Sequence, residues 1–175
     1  MTIDALDLIA ADPTNPRALR NLLGQFATGV TVITTRGRDG RKVGMTANSF
    51  SSVSLEPPLV LWSLARQAPS LPDFLAASHF AIHVLGSDQH QLSGHFARPA
   101  EDKFAGIAHV EGTAGVPLLE EAVATLICRN HVQYEGGDHL IFLGEIEHYR
   151  HSGGEPLVFH AGQYWVASAH PALSA

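Results

Sequence analysis

The sequence predicts a mainly β protein, an antiparallel barrel with a few peripheral helices. Six or more short runs have the composition of strands, only two or three short stretches have a helical pattern, and the two do not alternate as in βαβ units. With 175 residues, 18.7 kDa and 45% hydrophobic residues, the chain suits one globular domain with a single core. A doubly wound parallel sheet is therefore not expected.

The predicted strands are short and rich in β-branched or apolar residues. Asp39 and Gly40 lie at the centre of a turn between the first two strands, and Pro57 and Pro58 interrupt the second. The two longest runs flank a glycine-bearing loop at residues 134–138, which predicts a hairpin. In chain order the predicted strands are residues 30–35, 43–54, 59–64, 80–85, 122–132, 139–149, 156–159 and 164–166.

The helical pattern begins at Asn15 and Pro16, a capping residue followed by a residue suited to the first helical position. Its apolar face comprises Leu19, Leu22, Leu23 and Phe26. Two further short helices are predicted at residues 71–77 and 89–96. Residues 1–15 are expected to be a flexible N-terminal arm, and residues 16–170 the folded domain.

Composition argues against several classes of partner. The formal net charge of −6, with 17 acidic and 11 basic residues, does not favour nucleic acid or an anionic membrane. No apolar run approaches the ~20 residues that span a bilayer. The first fifteen residues lack a signal-peptide pattern, and the one cysteine, Cys128, is expected in the core. The expected location is the cytoplasm.

Familiar catalytic motifs are missing from the sequence: no GxGxxG, phosphate loop, GxSxG, HExxH or CxxC is present. His79 and His83 have the i, i+4 spacing of a helical metal pair. In the strand predicted there, however, they would lie roughly 13 Å apart. No metal site is predicted.

Small and hydroxylated residues crowd residues 44–58, GMTANSFSSVSLEPP. So little side-chain bulk lets a flat ligand approach the strand backbone, where amides and hydroxyls can meet a planar heterocycle and a phosphate. The alternative is a polar barrel strand with one wet face. Residue composition leaves both open.

Several motifs in order resemble the flavin reductase family, the short-chain reductase components of two-component flavin monooxygenases. They are FATGVTVIT at 26–34, GMTANSFSSVSLEPPLV at 44–60, FAIHVL at 80–85, HFA at 95–97, DKF at 102–104, GDH at 137–139 and a segment at 159–164. The resemblance runs from about residue 19 to residue 166. It implies an FMN-binding split barrel, a Greek-key barrel of six antiparallel strands, usually in a homodimer.

The resemblance also implies the site residues. The isoalloxazine and ribityl chain would lie along Gly44, Met45, Thr46, Ala47, Asn48 and Ser49. The phosphate would be held near Ser63, Leu64, Ala65 and Ser70, although Ala68 and Pro69 depart from the hydroxyl or basic residues of many relatives. The phosphate or dinucleotide end would lie by His95, Phe96, Lys103 and Phe104. His139 would meet the nicotinamide, and Tyr164 would add to that pocket.

Other interpretations of single residues stay open at this point. Lys103 suits a phosphate or a surface ion pair with Asp102 or Glu101, and His139 can be a turn histidine bonded to a neighbouring carbonyl. A solvated hairpin tip is expected for the basic turn, Lys42 excepted, and Trp62 and Trp165 are expected as core or dimer anchors. The basic turn comprises Arg36, Arg38, Arg41 and Lys42.

The function predicted is an NAD(P)H-dependent flavin reductase that passes a hydride to FMN or FAD and supplies reduced flavin to a partner monooxygenase. Such an enzyme needs only to stack and orient two rings, which agrees with a chain that has no catalytic triad. The alternatives are an FMN-dependent oxidase of the pyridoxamine-phosphate-oxidase type, a non-enzymatic flavin- or tetrapyrrole-binding module, or a reductase whose final acceptor is a corrinoid or ferric complex.

Overall fold

A curled antiparallel sheet of seven strands forms the body of the molecule, in a computed structural model that describes residues 9–173. The strand order is β3-β2-β6-β9-β10-β5-β4. β3 and β4 lie at opposite edges, yet only residues 48–50 join them, so the sheet must curl until the end of β3 lies near the start of β4. The strands are β2 Thr31–Arg36, β3 Lys42–Ala47, β4 Ser51–Leu55, β5 Pro58–Ala65, β6 His79–Val84, β9 Ala124–Gly136 and β10 His139–His151.

Smaller elements cover the barrel. A three-stranded sheet has the order β1-β11-β12, and β7 pairs with β8. Their bounds are β1 Thr28–Gly29, β7 His109–Glu111, β8 Pro117–Leu119, β11 Leu157–His160 and β12 Gln163–Val166. The helices are α1 Pro16–Leu23, α2 Leu71–Ala76 and α3 His90–Ala97, with 3₁₀ turns at Thr113–Gly115 and Pro171–Leu173.

The predicted mainly β fold with few helices is confirmed, and its local differences have physical causes. Residues 43–54 form two strands because the chain crosses between sheet edges at residues 48–50. β9 extends to Gly136, so the predicted loop shrinks to Gly137 and Asp138, with Gly137 at a φ of +72°. The principal sheet has seven strands against the six of the expected barrel, and the β7–β8 hairpin was not predicted.

The predicted first helix begins where expected, with the Asn15 side chain accepting from the Ala18 amide. It ends at Leu23, so Phe26 lies beyond it. No residue of α1 is buried. Residues 1–8 of the predicted flexible arm lie outside the described residues.

The barrel core is centred on Trp62, which is fully buried. Its ring stacks on Phe142 with centroids 4.6 Å apart, and Phe74 and Phe80 pack edge-on at 4.9 and 5.6 Å. Trp62 is thus the predicted core anchor, whereas Trp165 is half exposed. Cys128 is a free thiol in the same core, and burial raises its pKa to about 12, as expected for a packing residue.

Among residues 9–173, no helix is long and apolar enough to cross a membrane. The same part of the chain contains no cluster of histidine, cysteine and carboxylate side chains suited to a metal ion. His79 bonds Glu147 through Nε2 at 3.1 Å, while His83 is fully buried, so the two imidazoles do not act together.

Buried His83 gives the fold a predicted acid sensitivity. Its Nδ1–H donates to the Val32 carbonyl at 3.0 Å, and burial, the main cause, lowers its pKa to about 4. The native state therefore binds fewer protons than the unfolded state below about pH 6.5. This contribution to stability is intact above that pH and is lost at up to roughly 1.4 kcal/mol per pH unit down to about pH 4.

His83→Asn keeps a donor for the Val32 carbonyl but cannot titrate. Urea unfolding between pH 4 and 7 should therefore show a shallower loss of stability for the variant than for the native protein. Equal slopes for the two proteins would show that His83 is not the titrating group.

Candidate functional site

A groove of about 670 Å³ lies between strand β3, the loop after β5 and the loop after α3. Ligand sites of cofactor size have volumes of about 300–1,000 Å³, so a nucleotide-sized molecule fits. The groove brings together these predicted flavin-binding residues: Gly44, Met45, Thr46, Leu64, Ser70, Phe96 and Lys103. They come from three separate stretches of the chain, residues 44–46, 64–70 and 96–103.

Gly44 has a packing role that the sequence did not reveal. A Cβ atom there would lie 2.5 Å from Cε1 of Phe96 and 3.3 Å from Cζ of Phe104. Phe96 is fully buried and Phe104 nearly so, with their rings edge-to-face at 5.3 Å. We expected a flat ligand to use the space that the missing side chain leaves at Gly44. On the face of the strand where a Cβ atom would point, two aromatic rings fill that space. Phe104 lies beneath the groove and is not part of its lining.

Lys103 is a half-buried cation in the groove wall. Its Nζ donates to the carbonyl oxygens of Phe96 at 2.7 Å and of Gly44 at 3.1 Å. Burial lowers its pKa. His95 holds the same turn in place, because its Nε2–H donates to the Lys103 carbonyl at 2.7 Å. Neither Asp102 nor Glu101 pairs with Lys103, so the surface ion pair considered for it is absent from the described contacts.

A second set of bonds ties α3 to the groove. Thr46 Oγ1 donates to the Ser93 carbonyl at 2.6 Å, and the Ser93 hydroxyl lies 2.8 Å from the Tyr164 hydroxyl. Ser93 is fully buried. Tyr164 therefore reaches the back of β3 through Ser93 and does not line the groove itself.

The remaining predicted flavin residues lie outside the groove lining. Ala47 belongs to the barrel core. Ser49 Oγ accepts from the Ser63 amide at 2.9 Å and donates to the Ser63 carbonyl at 3.2 Å, which clips the crossing segment to β5. Asn48 lines a second groove of about 710 Å³ between the end of α1 and the β11–β12 turn.

His139 opens β10 directly opposite Ala65, the last residue of β5. Its Nδ1–H donates to the Asp138 carboxylate at 2.7 Å, and this bond lowers the pKa of Asp138. The side chain is 43% exposed, so its Nε2 edge is open to a ligand. The bond to a neighbouring carbonyl that we considered for His139 is replaced by this carboxylate bond.

The turn that carries His139 is fastened to the groove wall. The Arg66 amide donates to the Asp138 carbonyl and its Nε to the Gly137 carbonyl, both at 2.9 Å. Arg66 lies between residues that line the groove: Leu64 precedes it, and Ala68, Pro69 and Ser70 follow it. Ala68 and Pro69, the departures from the family pattern, thus supply apolar surface there.

Sequence patterns missed part of the groove mouth. Arg41 lines the groove and pairs with Asp73, and Arg36 pairs with Glu111, so the basic turn is not merely a solvated tip. Residues 97–102 also line the mouth. Only the packing of α3 against β3 brings these two stretches together. No local sequence pattern in either stretch indicates that contact.

A barrel with a cofactor-sized groove, walled by backbone and hydroxyl groups and holding a half-buried cation, has the features of a nucleotide-cofactor-binding protein. Comparison with known proteins makes this specific. Residues 23–168 match the family model "Flavin reductase like domain".

The chain is 45% identical to the FMN reductase (NADH) SmoA of Agrobacterium fabrum, over 86% of this chain and 85% of that protein. The solved structure of NADH:FAD oxidoreductase SgcE6 from Streptomyces globisporus C-1027, in complex with NAD and FAD fragments, matches with a TM-score of 0.85 and 40% identity, over 95% of this chain and 100% of that one. The reductase component of the flavin-dependent trigonelline monooxygenase of Acinetobacter baylyi is 40% identical over 86% of this chain, which spans 48% of its length.

The chain belongs to the flavin reductase-like domain family. The predicted resemblance and the predicted enzyme class, an NAD(P)H-dependent flavin oxidoreductase, are confirmed.

Proposed function

We propose that this protein transfers a hydride from NADH or NADPH to FMN or FAD bound in the groove beside β3, and that the reduced flavin serves a partner monooxygenase. The observation that carries the proposal is the convergence of Gly44–Thr46, Leu64, Ser70 and Lys103 in one groove of cofactor size. Bound flavin would supply the hydride acceptor at its N5 atom and nicotinamide the donor at C4.

The chain's own groups fit such a ligand. Within the protein, the Lys103 ammonium group donates hydrogen bonds to carbonyl oxygens, which do not neutralise its charge. It is therefore suited to bind a flavin phosphate. Met45 and Ala68 supply apolar surface for a planar ring, and the backbone of β3 supplies polar groups along it. Thr46 is held by Ser93, so this wall is fixed before ligand arrives.

His139 is suited to the nicotinamide. Asp138 occupies its Nδ1–H, which leaves Nε2 to accept a hydrogen bond from an amide such as a carboxamide. The ties from Arg66 hold the turn beside the groove wall. The protein thereby orients the donor ring without a nucleophile of its own.

The decisive experiment follows NADH and NADPH oxidation by the purified protein with and without FMN, FAD or riboflavin. Oxidation that depends on added flavin is expected. Tight flavin binding with no oxidation of either nicotinamide would contradict the reductase and favour an oxidase or a binding module.

A His139→Ala variant separates the two substrates. We expect kcat/KM for NADH to fall about tenfold, the value of one hydrogen bond of about 1.4 kcal/mol, while the flavin Kd changes less than twofold. Asp138→Asn is the matched control, because it removes the charge but keeps an acceptor for Nδ1–H. An unchanged NADH dependence in His139→Ala would refute the assignment.

We also propose a homodimer and a cytoplasmic location, with residues 16–170 as the folded domain. The free, buried Cys128 suits a reducing compartment. Leu22, Leu23 and Phe26 are 67%, 66% and 79% exposed, an apolar patch that one chain leaves uncovered. Sedimentation should find a dimer, and Leu22→Glu should shift it toward monomer. A native protein that stays monomeric at high concentration would overturn the dimer.

A further inference from the structure

The mouth of the groove has more cationic groups than a flavin mononucleotide requires. The proposed function assigns Lys103 to one phosphate in the inner part. Lys42 and Arg98 line the outer part, beside Glu101 and Asp102. Asp102 accepts from the Phe104 amide at 2.8 Å, and the cations of the lining still outnumber its carboxylates.

Within residues 9–173, no carboxylate forms an ion pair with Lys42, Arg98 or Lys103. Four arginines do have such partners, and of these only Arg41 lines the groove: Arg36, Arg41, Arg66 and Arg129. Other cations in this part of the chain also lack an ion pair, but Lys42, Arg98 and Lys103 line one groove of cofactor size, which favours an anionic ligand there.

Lys42 is also held in place. Its Nζ donates to Nε2 of His109 at 2.7 Å. The His109 Nδ1–H donates to the Ile107 carbonyl at 2.6 Å, which leaves Nε2 as the acceptor for Lys42. The imidazole packs edge-on against Phe104, with centroids 5.2 Å apart. A neutral acceptor orients the ammonium group without cancelling its charge, unlike the carboxylate that pairs with Arg41.

The position of Lys42 along β3 matches a second phosphate. Lys103 bonds the Gly44 carbonyl, and Lys42 comes two residues earlier on the same face of the strand, roughly 7 Å away along it. The two flexible lysine side chains can therefore reach successive phosphates of one pyrophosphate.

We propose that the mouth of the groove binds the second phosphate of an adenine dinucleotide, and that Lys42, oriented by His109, contacts it. The proposal rests on the proposed function. The shared chemistry is the adenosine diphosphate arm, which both FAD and NAD(P)H carry. The expected source is FAD, because its first phosphate belongs to the flavin beside Lys103.

The test compares Kd values for FMN and FAD, measured by flavin fluorescence, in the native protein, Lys42→Met and Arg38→Met. Arg38 is an exposed cation of the same turn outside the groove lining, so it controls for overall charge. In Lys42→Met the ratio of the FAD Kd to the FMN Kd should rise about tenfold, and in Arg38→Met it should not change. His109→Phe keeps the ring on Phe104 but loses the acceptor, and should raise the ratio severalfold; His109→Gln should restore it.

The Kd ratios and the NADH KM show whether the bound adenosine diphosphate arm belongs to FAD or to the nicotinamide dinucleotide. If the ratio stays constant while Lys42→Met raises the NADH KM with saturating FMN, the arm belongs to the nicotinamide dinucleotide and the mouth still binds a second phosphate. Equal weakening of FMN and FAD, or no change in either Kd or in KM, would overturn the proposal. Native protein that binds both flavins but oxidises no NADH would refute the reductase, while the Kd ratios would still test Lys42.

Discussion

Replacing Gly44 with alanine is expected to lower the free energy of unfolding by about 2 kcal/mol and to weaken flavin binding severalfold. The new Cβ would lie 2.5 Å from Cε1 and 2.8 Å from Cδ1 of Phe96. Phe96 is fully buried against Phe104 and cannot rotate away, so strand or ring must move. Alanine also lowers the entropy of the unfolded chain, which stabilises the folded protein by less than about 1 kcal/mol. Urea unfolding and a flavin titration on the same samples measure both effects.

Gly144→Ala is the matched control. A Cβ there would also press on a buried ring, that of Phe80, and lie 3.0 Å from the Cys128 Cβ. Because Gly144 is outside the groove lining, a comparable loss of stability should leave the flavin Kd within twofold. If both variants lose flavin affinity equally, the effect at Gly44 reports general destabilisation and not the groove wall.

Lys103→Met is expected to raise the flavin Kd by about tenfold to a hundredfold. The substitution removes the half-buried ammonium group, and charge-assisted hydrogen bonds to phosphate contribute about 1.5–3 kcal/mol. Methionine retains the apolar stem, so packing in the groove changes little. Titration with FMN and with riboflavin, which lacks the phosphate, isolates the contact: the loss should appear for FMN alone.

Arg38→Met serves again as the control for net charge and should leave the FMN Kd unchanged. Lys103 also bonds the carbonyls of Gly44 and Phe96, so unfolding must be measured to show that the variant is folded. An equal loss of riboflavin and FMN affinity would show that Lys103 shapes the groove and does not contact the phosphate.

The sequence alone was sufficient for the fold class and the family. Asn15 and Pro16 marked the start of α1, and the Asp39–Gly40 turn and the β9–β10 hairpin were recognised because capping and turn chemistry act over a few residues. The ordered motifs also identified Lys103, His139 and residues 44–46, which the structure places in the groove or beside its wall.

Only the tertiary structure decided which members of those motifs share a surface. Strand register turns Ser49 toward Ser63 and Ala47 into the core, and Asn48 lines a separate groove. The packing of α3 and β7 against β3 sets Phe96 against Gly44 and His109 against Lys42, residues 52 and 67 positions apart. Such contacts depend on the packing of elements that are far apart in the sequence, which no local sequence pattern encodes. A short motif therefore predicted the kind of site, whereas the curled sheet determined its members.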